Sequence, residues 1–337
     1  MNLNGVLIDL HCHLDGSLPI SLVRHLAKFN REVKISQNDI KLKRRLSVQG
    51  RGGDLNDYLK KFELPLSLLQ NRMDLVTAAR TLCNHLEKNG VMYAEIRFAP
   101  QLHTRKGLTQ EEAVEAVIEG KNRSSLKSNL ILCCMRGDNN KKENLETIAV
   151  AKKFHNNGVC AIDLAGAEAL YKTNEFEYVF EEAIKNEIPM TIHCGEADGR
   201  DSVACAMEYL KKSNQKIKRF GHGIRILEDE NLTKEAIENG FFFELCPTSN
   251  INTGMYETYS LYPVKRMLRK GMKVTLNTDN CTVSNTELIR EYNSIIERNV
   301  LGKSDIKALL RNSVDASFAD DNLKRDMYKK IDFAMEG

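Results

Sequence analysis

Eight short apolar runs rich in β-branched residues recur along this chain with room for a helix between them, and no other feature limits its fold as much. They lie at residues 6–10, 91–97, 130–135, 159–164, 189–193, 218–221, 241–245 and 273–277. Residues 74–88, 110–127, 145–154 and 287–298 place apolar side chains at three- and four-residue spacing with charge opposite, the pattern of amphipathic helices. Strands alternating with helices imply βα units and a parallel sheet. Eight such units predict a closed α/β barrel. An open doubly wound sheet more often shows Gly-x-Gly-x-x-Gly after its first strand, and none follows Leu10.

The 337 residues accommodate one barrel of about 250 residues and an insertion. The insertion falls between the first two strands, roughly 80 residues apart, more than a crossover helix needs. It contains a basic run at 41–45, the flexible Gly50-Arg51-Gly52-Gly53 and a partly apolar stretch at 55–69. An insertion at the C-terminal end of a barrel strand lies beside the mouth, where such folds place active sites. With no internal repeat, low-complexity tract or Pro-rich linker, one domain over residues 1–337 is expected.

Lys and Arg exceed Asp and Glu by only 49 to 46, so a small partner is expected rather than nucleic acid or a membrane surface. The nine cysteines are odd in number, scattered and free of any Cys-x-x-Cys, which fits reduced thiols in a cytoplasmic protein. No Lys or Arg precedes Arg24 and no apolar run approaches about 20 residues, so neither a signal peptide nor a membrane span is expected.

His11 and His13, two apart at the end of the first strand, point to one side of the pleat. His193 ends the fifth run, His222 follows the sixth and Asp279 follows the eighth, so these groups converge on one rim of a barrel. Three histidines and a carboxylate with a position left for water match catalytic zinc, which lowers the pKa of bound water to about 7. Glu196, three residues past His193, is either a proton donor in the mouth or a carboxylate at a helix N-terminus. His222, between Gly221 and Gly223, is either part of the site or a polar turn residue.

The chain resembles the adenosine deaminase family of metal-dependent hydrolases over nearly its whole length. The resemblance rests on an ordered set: Asp9-Leu-His-Cys-His-Leu-Asp-Gly16, Asp57-Tyr-Leu-Lys-Lys-Phe62, Tyr93-Ala-Glu-Ile-Arg97, Asp163-Leu-Ala-Gly166, His193-Cys-Gly-Glu196, Gly221-His-Gly223, Cys246-Pro247, Leu276-Asn-Thr-Asp279, Asn312 and Ser317-Phe318. It implies a TIM (β/α)8 barrel with a long helical insertion after the first strand. It also implies one zinc ion held by His11, His13, His193 and Asp279. By the same resemblance Glu196 protonates purine N1, His222 orients or deprotonates the attacking water, and Asp279 helps to hold it. Gly166 would offer its backbone N–H to N3, Asp15 would bind the ribose 5′-hydroxyl, and Leu55, Tyr58 and Phe62 would form an apolar lid.

The implied reaction is hydrolytic deamination of adenosine, and of 2′-deoxyadenosine, to inosine-type products and ammonia in purine salvage. One position departs from many members: Asn280 replaces a second Asp, and its amide can donate to N7 where an ionised carboxylate cannot. The rival substrates are free adenine and 5′-methylthioadenosine, and a rival class is a non-catalytic binding protein on the same scaffold. Asp15 argues for a nucleoside, since free-base relatives tend to carry Glu there. Residues 159–166 contain no lysine to bridge a second metal, and the His-x-Glu with Pro-Cys-x-x-Cys signature of other zinc deaminases is absent.

Overall fold

The computed structural model describes residues 3–30 and 32–336, so the expected domain limits at 1 and 337 lie outside the described residues. Each expected apolar run forms a strand: β1 (Leu7–His13), β2 (Val91–Phe98), β3 (Lys127–Met135), β4 (Val159–Ala165), β5 (Thr191–Cys194), β6 (Arg219–His222), β7 (Phe242–Leu245) and β8 (Lys273–Leu276). They pair in parallel as two four-stranded sheets, β1-β2-β3-β4 and β5-β6-β7-β8. Single bridges join the sheet edges, Ile162 to Met190 on one side and Cys12 to Asp279 on the other. At the second seam the backbone of Asp279 exchanges two 2.7 Å hydrogen bonds with β1, accepting from His13 N–H and donating to the His11 carbonyl. The arrangement is the (β/α)8 barrel expected from the alternation.

β1 runs three residues past its expected end, through both histidines. Its register against β2 shifts between Asp9 and Cys12, a bulge that places one extra residue in β1 just where His11 leaves the core ladder. Bulges of this kind re-aim side chains beside active sites. The second expected helix is shorter than its periodicity suggests, Gln110–Asn122 rather than 110–127. Arg123 and Ser124 close tight turns back to the Gly120 and Lys121 carbonyls, and Lys127 is already paired with Tyr93 in β2.

The insertion folds into short helices, Ile20–Phe29, Asp39–Leu46, Leu55–Leu59 and Glu63–Leu68, ahead of the outer helix Arg72–Lys88. The basic run is an exposed face of Asp39–Leu46 with only Leu42 turned inward, an ordinary solvated surface. Among the described residues no helix is long and apolar enough to cross a membrane.

Candidate active site

The C-terminal rim gathers residues from strands far apart in sequence. His11 and His13 come from β1, His193 from β5 and His222 from the end of β6, while Asp279 follows β8. His222 and Asp279 both take left-handed backbone conformations, φ 60° and 59°, although neither is glycine. Such conformations cost about 1–3 kcal/mol each and concentrate at functional sites, where they aim a side chain that an extended strand would direct elsewhere.

Donor atoms of His11, His193, His222 and Asp279 all lie within 4.8 Å of one another. His13 adjoins this group, its Nε2 3.4 Å from both Asp279 Oδ1 and His193 Nε2. The Nε2 of His11 is buried with no hydrogen-bond partner in the protein, as suits an atom reserved for a ligand. Imidazole nitrogens with a carboxylate oxygen form the donor set of zinc and its neighbours in the first transition row, so these residues fit a metal ion.

The far sides of two rings meet carboxylates inside the barrel. His11 Nδ1 is 2.8 Å from Glu244 Oε2, and His193 Nδ1 is 2.7 Å from Asp163 Oδ2. Arg97 reaches those same two oxygens, Nη2 to Glu244 and Nη1 to Asp163, each at 2.8 Å. Arg219 completes the interior, its Nε 2.7 Å from Glu244 Oε1 and its Nη1 2.6 Å from Glu95 Oε2. All these charges are buried, which is tolerable because each is paired. Burial alone would raise Glu244, but Arg97 and Arg219 hold it well below the usual carboxylate range.

Above the cluster lies a cavity of about 270 Å³. Leu55, Tyr58 and Phe62 line it from the insertion, Gly166 from the end of β4, and Glu196, Asp279 and Asn280 from the rim. Gly166 has φ 114°, a conformation closed to ordinary side chains. Tyr58 is anchored through its hydroxyl to Ser284 Oγ at 2.6 Å. Glu196 is not a helix cap, since the next helix starts at Arg200 with Gly199 at its cap position. Burial, with the charges of Asp279 and Glu168 nearby, pushes the Glu196 carboxyl well above 4.5. His222, facing Glu196 with Nε2 3.6 Å from Oε2, is held down to about 3 by burial and by His11, so its ring is neutral.

Asp15 is the one expected substrate contact outside the cavity wall. It occupies the tight turn Asp15–Ser17, is buried, and leaves Oδ1 without a hydrogen-bond partner. Burial raises its carboxyl to about 6. Asn280 donates to Asp279 Oδ1 at 2.7 Å and has its own Oδ1 buried and unpaired. A Cβ on Gly16 would collide with that amide, so only glycine lets Asn280 lie where it does.

The adenosine deaminase family model matches residues 7–334. An adenosine deaminase of Haemophilus ducreyi is 42% identical over 332 residues, covering 96% of this chain and 95% of its own. The chain belongs to the adenosine deaminase family. An adenosine deaminase of Clostridium acetobutylicum is 35% identical over 330 residues, with 96% of each chain covered. Among solved structures, adenine deaminase from Arthrobacter aurescens superposes with a TM-score of 0.88 at 22% identity, covering 99% of this chain and all of that one. A zinc-bound amidohydrolase from Burkholderia ambifaria gives 0.86 at 19% identity, covering 98% of this chain and 90% of that one. At those identities the superpositions establish the shared barrel.

Several residues that build this adenosine deaminase site carry no role in the sequence reading. Asp163 and Glu244 are single charges inside otherwise apolar strands, and Arg97 shares β2 with Glu95, so burial marks all three as paired interior groups. Glu168 has no such signal. Its carboxylate accepts the backbone N–H groups of Gly195, Glu196, Ala197 and Asp198 at 2.7–3.1 Å, pinning the loop that carries Glu196. Asn250, against His222, and Tyr262, behind Asn250, are equally silent in sequence.

Proposed function

We propose that this enzyme hydrolyses adenosine, and 2′-deoxyadenosine, to inosine or deoxyinosine and ammonia, using one zinc ion at the rim. The single observation that carries this reading is Glu196, buried in the same cavity wall as the histidine and Asp279 cluster, where burial pushes its carboxyl well above the usual carboxylate range. His11, His13, His193 and Asp279 would hold the ion, which supplies Lewis acidity that activates water near neutral pH.

The purine lies under Leu55, Tyr58 and Phe62, with the Gly166 N–H toward N3. Glu196 gives its proton to N1 and draws electron density from C6. Asp279 and His222 orient the water whose oxygen adds to C6; the water's proton passes through the Asp279 carboxylate to N6, cleavage of the C6–N6 bond releases ammonia, and the C6 hydroxyl proton returns to Glu196. The buried, unpaired Asp15 carboxylate receives the 5′-hydroxyl. Asn280 holds Asp279 with one side-chain N–H and offers the other to purine N7.

Full-length relatives named adenosine deaminase support the nucleoside substrate over free adenine and 5′-methylthioadenosine. Nine free cysteines, eight of them buried, support a reducing compartment such as the cytoplasm, and purine salvage is the setting in which this reaction belongs. The test is loss of adenosine absorbance with stoichiometric ammonia release and one zinc per purified chain. Turnover of adenine at equal efficiency, or an active protein free of metal, would overturn the reading.

A further inference from the structure

His222 differs from the other rim imidazoles in what holds its far side. His11 hydrogen-bonds Glu244 through Nδ1, so that nitrogen carries the proton and Nε2 presents a lone pair to the site, and His193 Nδ1 lies 2.7 Å from Asp163 Oδ2. His222 Nδ1 instead faces the side-chain nitrogen of Asn250 at 3.2 Å. An amide has a donor end and an acceptor end, and whichever end meets the ring selects its tautomer.

The other end of Asn250 decides the direction. Asn250 Oδ1 lies 2.7 Å from the Tyr262 hydroxyl. The phenol places its own hydrogen on Asn250 Oδ1. Turning the amide round would aim an N–H at the phenol oxygen and strand the phenol's hydrogen. Both residues are buried, Asn250 at 0% and Tyr262 at 1% exposure, so water does not repair the fault. Asn250 therefore donates to His222 Nδ1, and the neutral ring keeps its proton on Nε2. That Nε2 is buried with no hydrogen-bond partner and points toward Glu196 and the cluster.

We propose that Tyr262 and Asn250 are positioning residues that hold His222 as its Nε2–H tautomer, making it a hydrogen-bond donor to the attacking water oxygen. His11 and His193, each with a carboxylate behind the ring, would ligate the metal, whereas the ring backed by an amide donates. His222 then neither ligates nor takes the water's proton, which falls to the Asp279 carboxylate. The assignment of the recipient rests on the deaminase reading above, whereas the tautomer rests on the hydrogen-bond order alone.

The experiment is a long-range proton–nitrogen correlation spectrum of the full, metal-containing chain labelled with ¹⁵N-histidine, with His222 identified by its loss in His222→Gln. The expected result is an unprotonated Nδ1 and a protonated Nε2. Asn250→Asp offers only an acceptor and should reverse this tautomer, lowering kcat roughly 10²-fold with metal content unchanged. Tyr262→Phe, which removes one oxygen, frees the amide to turn and should give mixed tautomers with a smaller fall in kcat. An unprotonated His222 Nε2 in the unmodified chain overturns the proposal, as do unchanged spectra and kcat in both Asn250→Asp and Tyr262→Phe. An Nε2–H tautomer in a protein that fails to turn over adenosine would sink the deaminase reading and uphold the tautomer.

Discussion

Arg97 Nη2 lies 2.8 Å from Glu244 Oε2, the oxygen that also sits 2.8 Å from His11 Nδ1. Its other terminal nitrogen repeats the relation through Asp163 to His193. One guanidinium thus braces the two carboxylates that orient two imidazoles. Arg97→Lys keeps the charge but cannot span both carboxylates, because an ammonium lacks the planar fork. Metal affinity is expected to fall about 10- to 100-fold, read by competition with a chelator while circular dichroism confirms the fold. Unaltered affinity would show that the carboxylates need no brace.

Glu196→Gln retains the shape of the side chain and removes its transferable proton. General acid catalysis contributes about 10²–10⁴-fold, so kcat should drop by that factor with metal still bound. A loss under about tenfold would mean that another group protonates N1.

Asp15 leaves a buried carboxylate oxygen unpaired. A substrate without the 5′-hydroxyl would keep it so, and sites of this kind discriminate by about 10⁴–10⁵. Adenine should be nearly inert and 5′-deoxyadenosine poor, and Asp15→Ala should narrow the gap between 5′-deoxyadenosine and adenosine. Retention of the full preference in Asp15→Ala would remove Asp15 from the ribose contact.

Glu291 is buried beneath the loop after β7, where it accepts hydrogen bonds from Thr248 and Thr286. Burial outweighs those bonds and raises its carboxyl from 4.5 to about 7. A carboxyl whose folded pKa is raised contributes stability that is complete below about 4.5 and is lost as pH rises through about 7. Relative to Glu291→Gln, the unmodified protein should lose roughly 3 kcal/mol between pH 4.5 and pH 8. Denaturant midpoints of the two proteins across that range measure the difference, and parallel curves would place the Glu291 pKa in the ordinary range.

Hydrophobic periodicity alone determines much of this fold. All eight apolar runs form strands, and the rim residues His11, His13, His193, His222 and Asp279 come together because parallel strands of a barrel end on one face. Glu196 also reached the cavity they share. The bulge in β1, the left-handed turns at His222 and Asp279, and the partner of each imidazole were decided only by the tertiary structure. Glu244 meets His11 from 233 positions away, and Asn250 meets His222 from 28. Spacing along a chain reveals which way a side chain points and whether it is buried. Which atom it then touches depends on register between strands and on how the barrel closes, and those are fixed by packing among residues that the sequence does not place side by side.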